Sequence, residues 1–121
     1  MRIVNNSEYL AHTDPIFKSL RILNIYQVFK LNCVLFAYKC LKTSQYPNFK
    51  KKIQKSSSIH RYKTRTNDLF RPPPERLELC QRSYLYQSVT LWNIISADIK
   101  ILNCIIHFKK KVKALIMVNE L

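Results

Sequence analysis

The residues best suited to chemistry in this 121-residue chain lie in a basic middle segment. Between Lys39 and Arg82 there are 12 Lys or Arg against three acidic residues, and aromatic residues are interleaved with them. Lysine and arginine neutralise phosphates and release counterions, while aromatic and guanidinium planes stack on exposed bases. The pattern therefore predicts contact with RNA or DNA. The residues expected to make that contact are Lys50, Lys51, Lys52, His60, Arg61, Tyr62, Lys63 and Arg65.

Base composition offers a second explanation of the charge. Phe, Tyr, Met, Ile, Asn and Lys total 51 residues against 16 for Gly, Ala, Arg and Pro, a balance that AT-rich coding DNA produces. The segment would then be a solvated loop, and part of the net charge of +14 would carry no function. Five of the seven arginines nevertheless fall within residues 61–82, and AT-rich DNA does not enrich arginine. A nuclear-localisation signal over Lys50–Lys55 is a further, nonspecific alternative.

Catalytic constellations are missing from the sequence. Glycine is absent, which excludes Gly-rich phosphate loops of the P-loop and dinucleotide-binding types. A polymerase or nuclease needs carboxylates that converge on Mg²⁺, whereas Glu75 and Glu78 are flanked by arginines that predict surface ion pairs. Cys104 and His107 have the i, i+3 spacing of two zinc ligands, but a closed zinc site needs four. We expect no enzyme, no metal site and no cofactor.

Neither export nor membrane insertion is predicted. The first 15 residues lack the apolar core of a secretory signal. The most apolar stretches are too short for a membrane span or are interrupted by charge. Four cysteines in such a chain favour reduced thiols, and Cys33, Cys40 and Cys104 are expected in the core. The sequence therefore predicts an intracellular protein of the nucleus or cytoplasm, not secreted and without a membrane partner.

A small, mainly α domain is predicted from apolar residues that recur at helical intervals. A first helix is expected near Pro15, capped by Thr13 or Asp14, and Ser88 is expected to cap a later one. The longer helices are expected over about 24–42, 88–95 and 104–118. The terminal helix is expected to turn Ile105, Phe108, Val112 and Leu115 inward. The core shared by the long helices is expected to contain Leu31, Leu35, Phe36, Trp92, Phe108 and Val112.

Outside these helices the chain is expected to be irregular. Residues 1–13 are predicted to be a disordered lead-in, and residues 43–75 a basic loop within a helical region over 14–118. Residues 69–74 must be extended, because three prolines fix φ and favour polyproline II. A short strand or ribbon is predicted over residues 75–86.

Several short motifs occur in an order that resembles the C-terminal tail of reverse transcriptases from non-LTR (LINE-type) retrotransposons of animals. The motifs are HTDPIFKSLRILNIYQ, FAYK, HRYKTR, RPPPERLELCQRSYLYQSVTLWNII, IK and FKKKVK. The resemblance covers about residues 8–116. Gln87 and Ser96 depart from it, because family members often have glycine and proline at those two places.

The resemblance implies a helical region beside the polymerase thumb that helps to hold template RNA and target DNA. It also implies that the HRYKTR segment contacts nucleic acid. The polymerase palm, with its catalytic aspartates, has no counterpart here, so the resemblance implies a noncatalytic fragment whose partners are RNA or DNA and upstream reverse-transcriptase domains. Two alternatives stay open. The chain is a small basic protein-interaction module that docks through Pro72–Pro74 and its helices, or a degenerate open reading frame without selected function.

Overall fold

Seven α-helices and one two-stranded antiparallel ribbon form the regular structure of the described residues. The structure is a computed structural model that describes residues 3, 6, 8, 10, 12–43, 45–59, 62, 65 and 68–118. The helices are α1 (Thr13–Ser19), α2 (Ile25–Tyr38), α3 (Pro47–Lys52), α4 (Glu78–Gln81), α5 (Tyr84–Ile94), α6 (Ala97–Lys100) and α7 (Ile105–Val118). The strands are β1 (Gln54–Lys55) and β2 (Phe70–Arg71). The predicted mainly α fold is confirmed. Within these residues, no helix combines the length and the apolar character needed to cross a bilayer.

The first long helix forms where the apolar spacing predicts it. The Asn24 side chain accepts a hydrogen bond from the Gln27 N–H (2.9 Å), and the Gln27 side chain accepts one from the Asn24 N–H (3.0 Å). This reciprocal capping box satisfies two of the N–H groups that a helix start leaves free. After Tyr38 the chain continues as a π-helical turn over Lys39–Thr43. The helical segment predicted over 24–42 is therefore confirmed.

The main hydrophobic core lies between α2, α5 and α7. At its centre the Tyr38 and Phe108 rings have centroids 4.4 Å apart, and the Tyr38 hydroxyl donates to the Asn103 carbonyl oxygen at 2.6 Å. That bond matters, because a buried polar group without a partner costs about 1–3 kcal/mol. Trp92 is buried, as predicted. The buried members of this core are Leu31, Cys33, Val34, Ala37, Tyr38, Leu91, Trp92, Ile95, Phe108, Val112 and Ile116.

Four predicted core positions are not among the buried residues of the main core. Leu35 is only partly buried beside the main core, and Phe36 packs on a smaller second cluster. Ile105 is 38% exposed at the first position of α7. Leu115 is half-buried, and Ile116 completes the buried face of α7 in its place because it lies nearer to the direction of Val112 around the helix. The buried members of the second cluster are Cys40, Ile53 and Val89.

The predicted cap of the first helix is wrong. α1 begins at Thr13, and His12 occupies the N-cap position without a side-chain hydrogen bond. Pro15 is the third residue of the helix instead of the first. Its missing N–H still removes no hydrogen bond, because the first turn of a helix has no acceptors for its N–H groups.

The segment before the Trp92 helix is helical instead of extended. Ser83 caps α5 by accepting from the Tyr86 N–H at 3.4 Å. Ser88, the predicted cap, is buried inside the helix, and its hydroxyl donates to the Tyr84 carbonyl at 2.6 Å. The strand predicted over residues 75–86 is therefore wrong. Loose alternation over so short a stretch does not distinguish a strand from a helix.

The basic loop predicted over residues 43–75 is partly regular. It contains α3, a 3-10 turn over Ser56–Ser58 and both strands. Residues 70–71 are extended, as predicted, and Pro72–Pro74 has no regular secondary structure. Most of the lead-in predicted over 1–13 lies outside the described residues, and Thr13 already belongs to α1.

Candidate nucleic-acid interface

Helix α3 carries the first group of predicted site residues. Pro47 occupies its first position, which suits a residue without an N–H, and Lys50–Lys52 form its last turn with all three residues exposed. The negative end of the helix dipole favours cations there. A six-residue helix is not stable alone. Phe49 holds α3 against Phe36 of α2, with ring centroids 5.3 Å apart, so that tertiary packing fixes the helix that carries the lysines.

The ribbon follows α3 directly. Lys55 pairs with Phe70, and Gln54 pairs with Arg71. The Lys55 ammonium lies 5.8 Å from the centroid of the Phe70 ring, within the range of a cation–π contact. Pairing therefore brings Lys55 and Arg71, which are far apart in the sequence, onto one short ribbon beside the α3 lysines.

The second group of predicted site residues belongs to the connection between β1 and β2, whose ends are held together by a hydrogen bond from the Ser56 N–H to the Leu69 carbonyl at 3.0 Å. Tyr62 and Arg65 are described and exposed in this connection. The other predicted members, His60, Arg61 and Lys63, lie outside the described residues.

Asn93 of α5 attaches the ribbon to the body of the protein. Its amide oxygen accepts from the Phe70 N–H at 3.0 Å, and its amide nitrogen donates to the Phe70 carbonyl at 2.7 Å. One side chain thus satisfies both main-chain polar groups of a strand residue, as a neighbouring strand would. Lys100 lies beside this contact: its ammonium donates to the Asn93 carbonyl at 3.4 Å and sits 5.9 Å from the Trp92 ring centroid. Burial lowers the pKa of Lys100.

Two grooves border the ribbon and share Gln54. One has a volume of about 580 Å³ and is lined by Lys50, Lys55 and apolar side chains that include Phe70. The other, of about 280 Å³, carries Lys52 and Arg71. Four cations therefore border one two-stranded element. We call the surface formed by Lys50–Lys52, Lys55 and Arg71 the basic ribbon surface.

Sequence reasoning missed Lys55 and Arg71 as members of this surface, and Asn93 as its attachment. No spacing rule connects Lys55 to Arg71, because their proximity depends on strand pairing. The partner of Asn93 is a pair of backbone atoms, which leaves no side-chain pattern in the sequence. A polar residue directly after the buried Leu91–Trp92 pair is the one local signal that was present.

The thiols divide into buried and exposed classes. Cys33 and Cys40 are buried as predicted, and burial raises the pKa of both. Cys104 is exposed, so its predicted place in the core is wrong. It lies just before α7, where the backbone N–H groups of His107 and Ile106 hydrogen-bond its sulfur and lower its pKa. The α6–α7 turn packs Leu102 against the main core and leaves Cys104 exposed.

One described carboxylate forms a surface ion pair. Glu78 forms an exposed ion pair with Arg82 one helical turn away, which confirms the surface role predicted for it. In the part of the chain that the structure describes, no group of three or more His, Cys, Asp or Glu side chains could hold a metal ion.

Compared with known proteins, the chain matches no family model, no curated protein and no solved structure. The geometry of the basic ribbon surface is therefore the main structural indication of function.

Proposed function

We propose that this protein binds RNA or DNA through the basic ribbon surface and the connection between its strands, and that it has no catalytic activity of its own. We also propose that the chain is the noncatalytic C-terminal region of a non-LTR retrotransposon reverse transcriptase, because its sequence motifs occur in the order typical of that region. The observation that carries nucleic-acid binding is the convergence of Lys50, Lys52, Lys55 and Arg71 on two grooves beside one ribbon.

The attachment of this surface favours binding over a solvated loop. A loop whose charge reflects only base composition needs no fixed backbone. Here three contacts fix the backbone: Phe36 packs against α3, Ile53 is buried and Asn93 holds Phe70. Cations on an ordered backbone lose less conformational entropy when they engage phosphates.

The alternative of a protein-interaction module has less support. Docking of a proline-rich segment requires an accessible polyproline surface. Pro72 and Pro73 are half-buried, and the Pro72–Pro74 segment lines the second groove beside Lys52 and Arg71. The segment thus borders the basic ribbon surface.

A comparison of two lysine triples tests the proposal. Replacing Lys50, Lys51 and Lys52 together by Ala should weaken binding of a labelled single-stranded RNA, measured by fluorescence anisotropy across a range of salt concentrations. The slope of log K against log salt should become less steep by about 0.7 for each phosphate that the variant no longer neutralises. Replacing Arg61, Lys63 and Arg65 together by Ala, in the connection between the strands, should also weaken binding and make the slope less steep.

The matched control is Lys109, Lys110 and Lys111 to Ala, which removes the same charge from exposed positions of α7. That triple should change affinity and slope less. Equal losses of affinity from the α3 and α7 triples would show that only total charge matters, and would contradict a site at the ribbon.

A further inference from the structure

Five aromatic rings form a continuous strip from α2 across α5 to α3. Phe36 lies at its centre, with ring centroids 5.1 Å from Tyr84, 5.3 Å from Tyr46 and 5.3 Å from Phe49. Phe29 extends the strip beyond Tyr84 at 6.0 Å. We call Phe29, Tyr84, Phe36, Tyr46 and Phe49 the aromatic strip.

The outer rings of the strip are accessible to solvent. Their residues Phe29, Tyr46, Phe49 and Tyr84 are 42%, 39%, 40% and 40% exposed, whereas Phe108 in the main core is fully buried. Rings that served only the core would lose this surface, since fully burying an aromatic side chain contributes about 1.5–3 kcal/mol.

Several rings of the strip meet their neighbours at steep interplanar angles, although Tyr46 meets Phe36 at 37°. Phe49 meets Phe36 at 80° and Tyr46 at 82°, and Phe29 meets Tyr84 at 72°. In an edge-to-face pair one ring contributes only its edge, so both of its faces stay clear of that partner. The strip can therefore offer π faces to a flat ligand.

The strip joins the basic ribbon surface without a break. Phe49 directly precedes Lys50–Lys52 on the same short helix, and Lys50 also lines the first groove. No Asp or Glu occurs between Asp14 and Asp68, so the sequence that forms α2 and α3 is free of carboxylates. A ligand of flat rings attached to a chain of negative charges has chemistry that complements both surfaces.

We propose that the aromatic strip stacks unpaired bases while the adjacent lysines hold the phosphates, so that the ligand is single-stranded nucleic acid. This inference rests on the proposed nucleic-acid binding and names its substrate class. A duplex hides the faces of its bases within its own stack and can use only the lysines. A single strand can use both surfaces, and stacking on aromatic rings tolerates any base.

The test compares a single-stranded oligonucleotide with a duplex of the same sequence, using wild type and the double variant Tyr46→Leu with Phe49→Leu. Leucine keeps apolar packing against Phe36 but has no π face. We expect the double variant to lose at least about fivefold in affinity for the single strand, with the salt slope and the duplex affinity unchanged. Tyr26→Leu, an exposed tyrosine of α2 outside the strip, is the matched control and should leave both affinities unchanged.

If the double variant loses helical circular dichroism, a tryptophan variant measured by fluorescence provides an independent test. Phe49→Trp adds an indole to the strip, and the natural Trp92, the one tryptophan of the chain, is buried and gives a constant background. Quenching by the single strand but not by the duplex supports the inference. No quenching by the single strand overturns it, as do equal single-strand and duplex affinities of the wild type.

The proposed function fails in a different way. If wild type binds neither oligonucleotide with a salt-dependent affinity, nucleic-acid binding itself is wrong. If it binds both equally and with the expected salt slope, only the stacking inference is wrong.

Discussion

Removal of the Asn93 side chain should detach the ribbon from α5. Asn93→Ala removes two partly buried hydrogen bonds to Phe70, of 3.0 Å and 2.7 Å. A typical protein hydrogen bond contributes about 0.5–1.5 kcal/mol net, so the pair contributes about 1–3 kcal/mol. Alanine regains roughly 0.5 kcal/mol of helix propensity. We therefore expect the free energy of unfolding to fall by about 0.5–2.5 kcal/mol, with hydrogen bonding as the main term.

The measurement is urea unfolding followed by circular dichroism, with Asn32→Ala as the control. Asn32 is an exposed asparagine inside α2, so its replacement reports the gain in helix propensity without a ribbon contact. Amide hydrogen exchange locates the effect, because the Phe70 N–H donates to Asn93. That amide should exchange faster in Asn93→Ala while amides of α2 keep most of their protection.

A specific result would refute this reasoning. If Asn93→Ala and Asn32→Ala differ by less than about 0.5 kcal/mol, the two bonds contribute no more than solvent contacts do. A uniform loss of protection across α2 and α7 would instead show that Asn93 supports the whole fold, and that the ribbon is not a separable unit.

Two further predictions concern the backbone and the thiols. Arg21 has a positive φ of 52° in a turn closed by hydrogen bonds from the Arg21 N–H to Lys18 and from the Ile22 N–H to Phe17. Because glycine adopts this conformation without steric cost, Arg21→Gly should raise stability by about 1 kcal/mol in thermal unfolding. A lower melting temperature of the variant would contradict this. Cys104, exposed and with its pKa lowered, should react with iodoacetamide in the folded protein much faster than the buried Cys33, and its rate should reach a plateau at lower pH than that of an ordinary thiol. The labelling is measured by mass spectrometry. Equal labelling of the two cysteines would show that either the exposed position of Cys104 or the buried position of Cys33 is wrong.

The parts of the fold that the sequence predicts well are those with local causes. α2 and α7 each span 14 residues, long enough for helical periodicity to be recognised. The lysine-rich exterior of α7 was also predictable, and Lys109–Lys111 are exposed there. Each of these features depends on residues three or four positions apart.

The parts that the sequence does not predict depend on distant contacts. α3 has six residues and each strand has two, which is too short for periodicity to appear. They form because Phe36 supports Phe49 and Asn93 supports Phe70, across separations that a local pattern does not encode. The lysines of α3 could therefore be proposed as a site from their residue type, whereas the ribbon that groups them with Arg71 could not.

The adjacent residues Trp92 and Asn93 link the core to the basic ribbon surface. Successive residues of an α-helix point about 100° apart, so α5 can direct Trp92 into the main core and Asn93 towards the ribbon. Trp92 packs near Phe108 at 5.9 Å between ring centroids, and Asn93 holds Phe70. A shift of α5 caused by repacking around Trp92 must therefore also move the attachment point of the ribbon. The position of Lys55 and Arg71 relative to the α3 lysines thus depends on the packing of the main core.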